Sequence, residues 1–380
     1  MVLVDSPLSS VKLREKPERF LTLLGVSIEQ FDAMYTKLSE HELLQQQGSH
    51  PLWRQERVER MVGKSAEVLR EYLCITLLYI RQYNIQEVLA ASFDISQAQV
   101  SKIVSRISES LEKILPVPAR AVSAVAQRLE QIDETIRKDY SATLIIDASE
   151  QRIERSQDQE QQRQDYSGKK KCHSRKFQVI ITQSGLILDL SNAIKGSVHD
   201  FRIFKERLLN KPLKRMLHLL KSVIVWADSA YEALPEYFPE WRCRVNEKAK
   251  RNHPLTQQQK DRNRWKSKTR ILVEHTISRI KKYRTCSDRV RNMTSNKQTR
   301  YWNIVAGLCN LRKATELNIQ DLFGYSDLVR SKSKHAIFLD RKRTTEYPFF
   351  KLNSIFGNQV KPVLSNYSRL VCNHLLMPHI

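Results

Sequence analysis

The chain has 380 residues, and 64 Lys and Arg stand against 41 Asp and Glu, which gives a formal net charge of +23. This length allows two or three domains, and this charge indicates a polyanionic partner, nucleic acid before membrane. A basic surface that serves solubility alone is the alternative. The mean hydropathy of −0.49 and the absence of a bilayer-length apolar run argue against a membrane protein.

The first residues and the cysteines bear on the compartment of the protein. Met1–Lys16 lacks the apolar stretch of a signal peptide, so we expect a soluble intracellular protein. The six cysteines are scattered and form no C-x-x-C pair, which argues against a zinc site or a disulfide framework. For a prokaryotic host these features predict a cytoplasmic, nucleoid-associated protein.

Residues 1–117 are predicted to form a helical domain. Apolar side chains recur at helical spacing over Glu18–Gln47 and again from about Gln55. Two prolines in Leu115-Pro-Val-Pro118 end this region, because proline stops a helix. Residues 118–138 follow as a polar connecting helix.

A helix-turn-helix is predicted at residues 84–107. Ile85–Phe93 is a short amphipathic helix, Asp94-Ile95 is a tight turn, and Ser96 with Gln99 forms the capping box of a second helix. Polar and basic side chains of such a helix suit base edges and phosphates in the major groove, so we predict DNA contacts from Gln97, Gln99, Ser101, Lys102 and Arg106. A helical hairpin with a solvated face is the alternative, and the net charge favours DNA binding.

Residues 139–313 have the element order of a mixed sheet with helices. Ala142–Ile146 is a short apolar strand with Asp147 at its end, and Val223–Trp226 is a strand followed by Asp228 in the same way. Asp147 could instead be an ordinary turn or cap residue, and Asp200, in the first turn of its helix, could be a partner of the helix dipole. The other elements are predicted to be a hairpin, a helix opened by Asp200 and a short last strand, at Phe177–Ser191, Phe201–Leu209 and Arg242–Val245.

Two segments are strongly basic. Residues 151–168 are interpreted as a polar loop that leads into Tyr166–Lys176, where we predict phosphate contacts from Lys169, Lys170, Lys171 and Lys176. Arg242–Arg284 holds 15 Lys and Arg against three acids. A solvated face would mix the signs, so this imbalance favours a phosphate track over a solvated charge run.

A long helix is predicted at Asp261–Tyr283. At about 100° per residue, Arg270, Glu274 and Lys281 fall within a stripe about 40° wide. We predict DNA contacts from Arg270 and Lys281. Glu274 could simply form a helix salt bridge with Arg270 four residues earlier.

The three carboxylates suggest a reaction. A βββαβα order can bring Asp147 and Asp228 at the sheet edge beside Glu274 on a helix. Hard oxygen ligands without His or Cys select magnesium or manganese. Two such ions about 4 Å apart hold an in-line phosphoryl displacement.

Five motifs together resemble the insertion-sequence transposases of the DDE superfamily, in the branch related to the eukaryotic Harbinger elements. They are Asp147-Ala-Ser-Glu150, Tyr166-Ser-Gly-Lys-Lys-Lys171, Gly196-Ser-Val-His-Asp200, Ala227-Asp-Ser-Ala-Tyr231 and Arg270-x3-Glu274-x6-Lys281. The resemblance covers roughly residues 20 to 312. Many relatives have Asp-Gly-Thr-Glu in the first motif, and a Tyr where this chain has Ser267.

The resemblance implies an RNase H-like catalytic domain at residues 139–313 in an α+β protein. It implies that Asp147, Asp228 and Glu274 bind two divalent ions, Mg²⁺ or Mn²⁺, with Asp200 as a fourth ligand. It further implies double-stranded DNA partners, namely the terminal repeats of the element and its target, and at least a homodimer. The activity would be cleavage at the element ends by water, followed by attack of the freed 3′-hydroxyl on target DNA.

Two other functions fit the same sequence. One is a non-catalytic, sequence-specific DNA-binding protein, such as a repressor or a domesticated transposase, that uses the helix-turn-helix alone. The other is a nuclease that cuts without joining. Residues 314–380 lie beyond the resemblance and carry no recognisable chemistry.

Overall fold

The computed structural model describes residues 5–47, 55–134, 141–207, 211–220, 222–249, 253–291 and 293–325. It confirms the predicted α+β class, because a helical N-terminal region is followed by a mixed sheet with helices. None of the helices in these ranges is both long and apolar enough to cross a membrane.

The N-terminal region is built from helices that carry apolar side chains on one side. Their bounds are α1 (Ser10–Arg14), α2 (Pro17–Leu24), α3 (Ile28–Gln47), α4 (Gln55–Gln82), α5 (Gln86–Phe93), α6 (Gln97–Ile114) and α7 (Pro118–Glu130). The helix-turn-helix is confirmed as α5 and α6. Asp94 ends α5 in the left-handed conformation, with φ of 49°, and the capping box of Ser96 and Gln99 begins α6.

The sheet is mixed, and its strands are β1 (Ser141–Arg152), β2 (Tyr166–Ser167), β3 (Cys172–Thr182), β4 (Ile187–Leu190), β5 (Ile194–Lys195), β6 (Ser222–Ala227) and β7 (Arg242–Val245). The order is β2-β3-β1-β6-β7, and β4 and β5 also pair with β3. β1 and β3 are antiparallel, whereas β1, β6 and β7 run parallel to one another. The predicted hairpin is confirmed as β3 and β4, with Gly185 at φ of 87° in the turn.

The first strand is longer than predicted. Asp147 was expected at the end of a strand, but β1 continues to Arg152, so that expectation is wrong. The reason is tertiary: β3 pairs with β1 as far as the partners Arg152 and Ser174. Asp147 therefore lies in the middle of a paired strand, where its side chain must face one side of the sheet.

Helices cover both faces of the sheet. They are α8 (Gln159–Asp165), α9 (Asp200–Arg207), α10 (Lys211–His218), α11 (Leu234–Tyr237), α12 (Gln257–Lys281), α13 (Arg284–Ser287) and α14 (Ser295–Leu317). Ile145 of β1 and Trp226 of β6 pack on the side of α12 and α14. Leu144 and Ile146 pack on the other side, with α7, α9 and α10.

One hydrophobic core spans the predicted boundary between residues 117 and 118. Buried side chains of the helix-turn-helix, such as Val104 and Ile107, belong to the same cluster as Phe177 of β3 and Trp302 of α14. Arg300 of α14 also pairs with Glu109 of α6 at 2.9 Å. Helix α6, the second helix of the helix-turn-helix and hereafter the recognition helix, therefore packs directly against the sheet-containing part of the protein.

Three other predicted boundaries differ from the structure. The segment 151–168, expected to be a loop, contains the end of β1, helix α8 and strand β2. The connecting helix predicted at 118–138 ends at Glu130, and residues 135–140 lie outside the described ranges. The tail predicted from residue 314 still contributes the end of α14 and the buried ring of Tyr325, while residues 326–380 lie outside the described ranges.

The buried side chain of Gln151, near the end of β1, forms hydrogen bonds with α13, α14 and the turn between these helices. Gln151 Oε1 accepts hydrogen bonds from Trp302 Nε1 at 2.8 Å and from Gln298 Nε2 at 3.0 Å. Its Nε2 donates to the carbonyl oxygens of Thr285 and Asp288, each at 2.8 Å. One amide thus satisfies four buried polar groups of α13, α14 and the turn between them.

Replacing Gln151 with Leu is expected to lower the free energy of unfolding by about 2–4 kcal/mol, because buried donors and acceptors lose their partners without regaining water. Urea unfolding measures this loss. Gln127→Leu, on the exposed side of α7, is the matched control and is expected to change stability little. Equal stability of the two variants would contradict this role for Gln151.

Candidate active site

Asp147 lies on the face of β1 that α12 covers. Its Oδ1 accepts a hydrogen bond from the backbone amide of Ala148 at 2.8 Å, and its Oδ2 lies 3.6 Å from Nη2 of Arg270. Burial raises the pKa of the Asp147 carboxyl to about 6. Arg270 and the Ala148 amide oppose this rise, whereas the negative charges of Asp228 and Glu274 add to it.

Asp228 lies beside Asp147 because two parallel strands run in register. The last aligned pair of β1 and β6 is Ile145 and Trp226, and each aspartate comes two residues later on its strand. Two residues on a strand return a side chain to the same face, so both carboxylates share the α12 side. Asp228 also accepts a hydrogen bond from the amide of Ala230 at 2.9 Å and so begins the short 3₁₀ turn that follows.

Glu274 lies on α12, the helix that packs across β1, and its charge acts on Asp147. The buried side chains of Val273 and Ile280 pack α12 against the sheet. Glu274 follows Val273 directly, and 57% of its side chain is exposed. Its Oε1 lies 4.0 Å from Nη2 of Arg270. The helix pair with Arg270 that the sequence left open as an alternative is therefore present.

Arg270 lies between Asp147 and Glu274. Its side chain is only 11% exposed, and one Nη atom approaches both carboxylates. Its Nε is buried and has no hydrogen-bond partner among the described residues. The structure thus places Arg270, predicted as a DNA contact, within the acidic site, where its charge offsets part of the repulsion among the carboxylates.

The donor chemistry of this site fits a hard divalent ion. Asp147 and Asp228 offer carboxylate oxygens on one face, and oxygen ligands of this kind suit a hard cation. Across the described ranges, however, no three His, Cys, Asp or Glu residues are grouped closely enough to hold a metal. Glu274 is linked to Asp147 through Arg270 and does not complete a three-carboxylate cluster.

Asp200, predicted as a fourth ligand, is held in an ion pair on the opposite face of the sheet. Lys176 Nζ lies 2.9 Å from Asp200 Oδ1 and donates a second hydrogen bond to the carbonyl of Val198 at 2.8 Å. Gln178 Nε2 donates to the Asp200 carbonyl and, at 2.9 Å, to the hydroxyl of Tyr231. Lys176, predicted as a phosphate contact, is therefore buried, and a contact to DNA would require breaking this pair.

Tyr231, which reasoning from the sequence did not assign, is buried on the Asp200 side of the sheet, where its hydroxyl accepts a hydrogen bond from Gln178. Burial raises the pKa of its hydroxyl well above the ordinary value, and the charges of Asp200, Asp147 and Asp228 raise it further. The hydroxyl therefore keeps its proton and can act as a hydrogen-bond donor as well as an acceptor. The position of Tyr231 at the end of the Ala227–Tyr231 motif is the feature of the sequence that could have identified it.

The other predicted phosphate contacts gather at the end of β1. Lys281 Nζ donates to the carbonyl of Glu150 at 3.2 Å, and its pKa is lowered by burial and by the neighbouring charge of Lys170. The Glu150 carboxylate is itself held by Ser167 and Ser174, at 3.0 and 2.6 Å. The turn before β3 exposes Lys169, Lys170 and Lys171 beside this point. The structure thus brings the basic turn and the C-terminal half of α12 together.

The recognition helix exposes all five side chains predicted to contact DNA, but some already have partners. Gln99 Oε1 accepts the hydrogen bond of the capping box from Ser96, and Gln97 donates to Gln86 at 3.3 Å. Arg106 forms an ion pair with Glu42. Among the described residues, Ser101 and Lys102 make no such contact, so they are the most available.

The raised pKa of Asp147 has a consequence for stability in the metal-free protein. A carboxyl with a folded-state pKa of about 6 binds its proton more tightly than in the unfolded chain, where its value is 3.8. Its contribution to stability is therefore present below pH 4 and is lost as the pH rises through 6. Asp147→Asn cannot ionise and avoids this loss.

We expect the free energy of unfolding of Asp147→Asn, relative to wild type, to increase between pH 4 and pH 7 by an amount on the order of 1–3 kcal/mol. Urea unfolding in the presence of a chelator measures this difference. A difference that is constant over this pH range would show that Asp147 titrates normally.

Comparison with known proteins identifies both parts of the fold. Residues 146–310 match the family model described as DDE superfamily endonuclease, and residues 68–116 match that of the helix-turn-helix of DDE superfamily endonuclease. A probable transposase for insertion sequence element IS702, from Microchaete diplosiphon, is 26% identical over 249 residues, which cover 65% of this chain and 82% of the relative. No solved structure matches significantly. Endonucleases of this superfamily use divalent metal ions. These two matches, over residues 68–116 and 146–310, make the chain similar to the endonucleases of the DDE superfamily and to their helix-turn-helix.

Proposed function

We propose that the protein is a DNA transposase that cleaves the ends of its own mobile element and joins the 3′-hydroxyl ends to target DNA. The observation that carries this proposal is the pair Asp147 and Asp228, side by side on adjacent parallel strands, under the helix that carries Glu274. The relative from Microchaete diplosiphon, a probable insertion-sequence transposase, supports the same reaction class. The chain acts as at least a dimer, because two element ends are processed together.

The catalytic residues are Asp147, Asp228 and Glu274, which would hold two divalent ions, Mg²⁺ or Mn²⁺. When bound, these ions supply Lewis-acid activation of the attacking oxygen and of the scissile phosphate. Before DNA arrives, the Arg270 guanidinium lies beside both Asp147 and Glu274 and offsets part of the repulsion between these two carboxylates. The basic turn with Lys170, together with Lys281, binds the strand backbone beside the acids.

The catalytic proposal predicts metal-dependent cleavage of a labelled duplex that carries the terminal repeats of the element. Asp228→Asn and Glu274→Gln are each expected to lower the rate at least about a hundredfold, since each removes a charged ligand worth several kcal/mol to the transition state. Glu232→Gln, an exposed acid on the turn after Asp228, is the matched control and should cut like wild type.

A joining assay with target DNA then separates a transposase from a simple nuclease. Cleaved ends that appear in the target support the proposal, and cleavage without joining supports a nuclease. If the folded wild-type protein cuts no DNA in Mg²⁺ or Mn²⁺, both the transposase hypothesis and the nuclease hypothesis are overturned.

A non-catalytic DNA-binding protein is the second candidate, and one observation favours it. Arg270 lies within 4.0 Å of both Asp147 and Glu274, so these two acids share a cationic side-chain partner. In this reading the helix-turn-helix carries the function alone. Tight binding of the terminal repeats with no cutting would support it.

Both candidates predict a phosphate contact from Lys102, at the start of the recognition helix. Lys102→Ala should weaken binding of the terminal repeats about 3- to 10-fold at moderate salt, and it should reduce the slope of log affinity against log salt by about 1. Lys214→Ala, an exposed lysine on α10, removes the same charge outside the helix-turn-helix and should leave the slope unchanged. Equal slopes for the two variants would contradict the contact.

A further inference from the structure

A cavity of about 220 Å³ lies between the recognition helix α6 and the start of α14, and it is called the α6–α14 cleft below. Ser101, Ser105 and Ser108 line one wall, because residues at positions i, i+4 and i+7 share one side of a helix. Arg291, ahead of α14, and Lys297, in its first turn, line the other wall. No Asp or Glu is among the described residues that line the cleft, so it offers hydroxyl and cationic donors to an anion.

The two cations named above are not neutralised by acids of the protein. Arg291 and Lys297 are both exposed, and neither forms an ion pair within the part of the chain that the structure describes. Arg300, which also lines the cleft, differs in this respect, because it pairs with Glu109 at 2.9 Å and with Glu112 at 3.3 Å. The acids of this region are therefore engaged by Arg300, and two positive charges are left for a ligand.

The guanidinium of Arg291 is held in place before any ligand binds. It lies over the ring of Tyr83, 4.1 Å from the centroid, and donates a hydrogen bond to the carbonyl of the same residue. The backbone N–H of Arg291 donates to the Tyr83 hydroxyl at 2.9 Å. A side chain that is already ordered loses less conformational freedom when it binds, so Arg291 is preorganised for an anion.

Lys297 is a cation at a position where a helix favours an acid. Thr294 is the N-cap of α14, Lys297 is the third residue of the helix, and its first turn contains no acid. The N-terminus of a helix carries a partial positive charge, so Lys297 adds charge of the same sign there. A bound anion would turn this repulsion into attraction, because both the helix start and the lysine attract it.

The position of the cleft identifies the anion. Ser101 is exposed on the recognition helix, directly beside Lys102, which is a predicted DNA contact. The major groove is only about 12 Å wide, so a helix that lies in it has a sugar-phosphate backbone on each side. Hydroxyl groups and cations are the usual partners of phosphate oxygens in protein–DNA complexes. A backbone phosphate on this side of α6 therefore fits the cleft.

We propose that the α6–α14 cleft binds one backbone phosphate of the duplex that the recognition helix reads. Lys297 and Arg291 supply the positive charge, and Ser101 and Ser105 supply hydroxyl donors. The inference rests on the DNA binding that the proposed function requires, and it adds a contact from outside the helix-turn-helix. Because α14 packs against the sheet, the duplex is then held by both parts of the chain, which restricts its rotation about α6.

The test measures whether Lys297 is coupled to one particular phosphate. Each duplex of a labelled terminal-repeat set carries one uncharged methylphosphonate at a different backbone position, and fluorescence anisotropy in a chelator gives its affinity for the full chain. We expect Lys297→Ala to weaken binding of the unmodified duplex about 3- to 10-fold and to reduce the slope of log affinity against log salt by about 1. At one position, the methylphosphonate should weaken wild type by a similar factor and leave Lys297→Ala nearly unchanged, because this contact is already lost.

Two variants control for charge and for general effects. Lys214→Ala removes an exposed lysine of α10 that does not line the cleft, and it should respond to every methylphosphonate as wild type does. Lys297→Arg keeps the positive charge and should retain both the affinity and the one sensitive position.

If every methylphosphonate weakens Lys297→Ala as much as wild type, the cleft contacts no DNA phosphate and the proposal is overturned. Free phosphate is the other source of the same chemistry. If duplex binding by Lys297→Ala is unchanged, and inorganic phosphate at constant ionic strength raises the Tm of wild type only, the cleft takes a free anion and the proposal is equally overturned. Wild type that binds no duplex would overturn this inference together with DNA binding by α6, whereas a loss of cleavage alone does not affect the measurement.

Discussion

Two carboxylates fixed side by side on one face of a sheet repel each other, and the region around β1 and β6 is arranged about that constraint. Parallel pairing of two apolar strands forces Asp147 and Asp228 into proximity, because neither backbone can move without breaking the sheet. Burial makes the repulsion stronger, since little water screens it. α12 then brings Glu274 as a third negative charge and Arg270 as the cation that lies against two of them.

The arrangement explains why one helix carries such different side chains. Val273 and Ile280 attach α12 to the sheet, and Arg270 turns inward toward the acids one turn away from Glu274. Two lysines of the helix donate hydrogen bonds to strands, Lys266 in its first half to the carbonyl of Val245 and Lys281 at its last residue to that of Glu150. α12 therefore crosses from β7 to β1, and any ligand of the acids lies alongside it.

The helix-turn-helix is part of this same body. Its buried residues share a core with the sheet, and Glu112 of α6 accepts hydrogen bonds from Arg300 and Asn303 of α14. DNA bound by α6 would therefore stand at a defined place relative to the acids of the same chain. Under the proposed function, a second copy is then needed to process the second element end.

The sequence by itself determined the features that depend on neighbouring residues. Helical spacing and the capping box of Ser96 and Gln99 predicted the helix-turn-helix, and the apolar runs and the turn at Gly185 predicted the strands, because these signals are local in the chain. The motifs also selected Asp147, Asp228 and Glu274 before any geometry was known. The length of β1 could not be predicted, since it depends on pairing with β3 through residues more than twenty positions away.

Only the tertiary structure decided what each charged side chain faces. Arg270 and Lys176 were both interpreted from the sequence as phosphate contacts, because a basic run shows charge but not direction. In the fold, Arg270 pairs with Asp147 on the face of the sheet that α12 covers, and Lys176 pairs with Asp200 on the opposite face. Burial of a cation is favourable only where a carboxylate meets it, and that meeting is set by strand register and helix crossing, which no single segment of the chain contains.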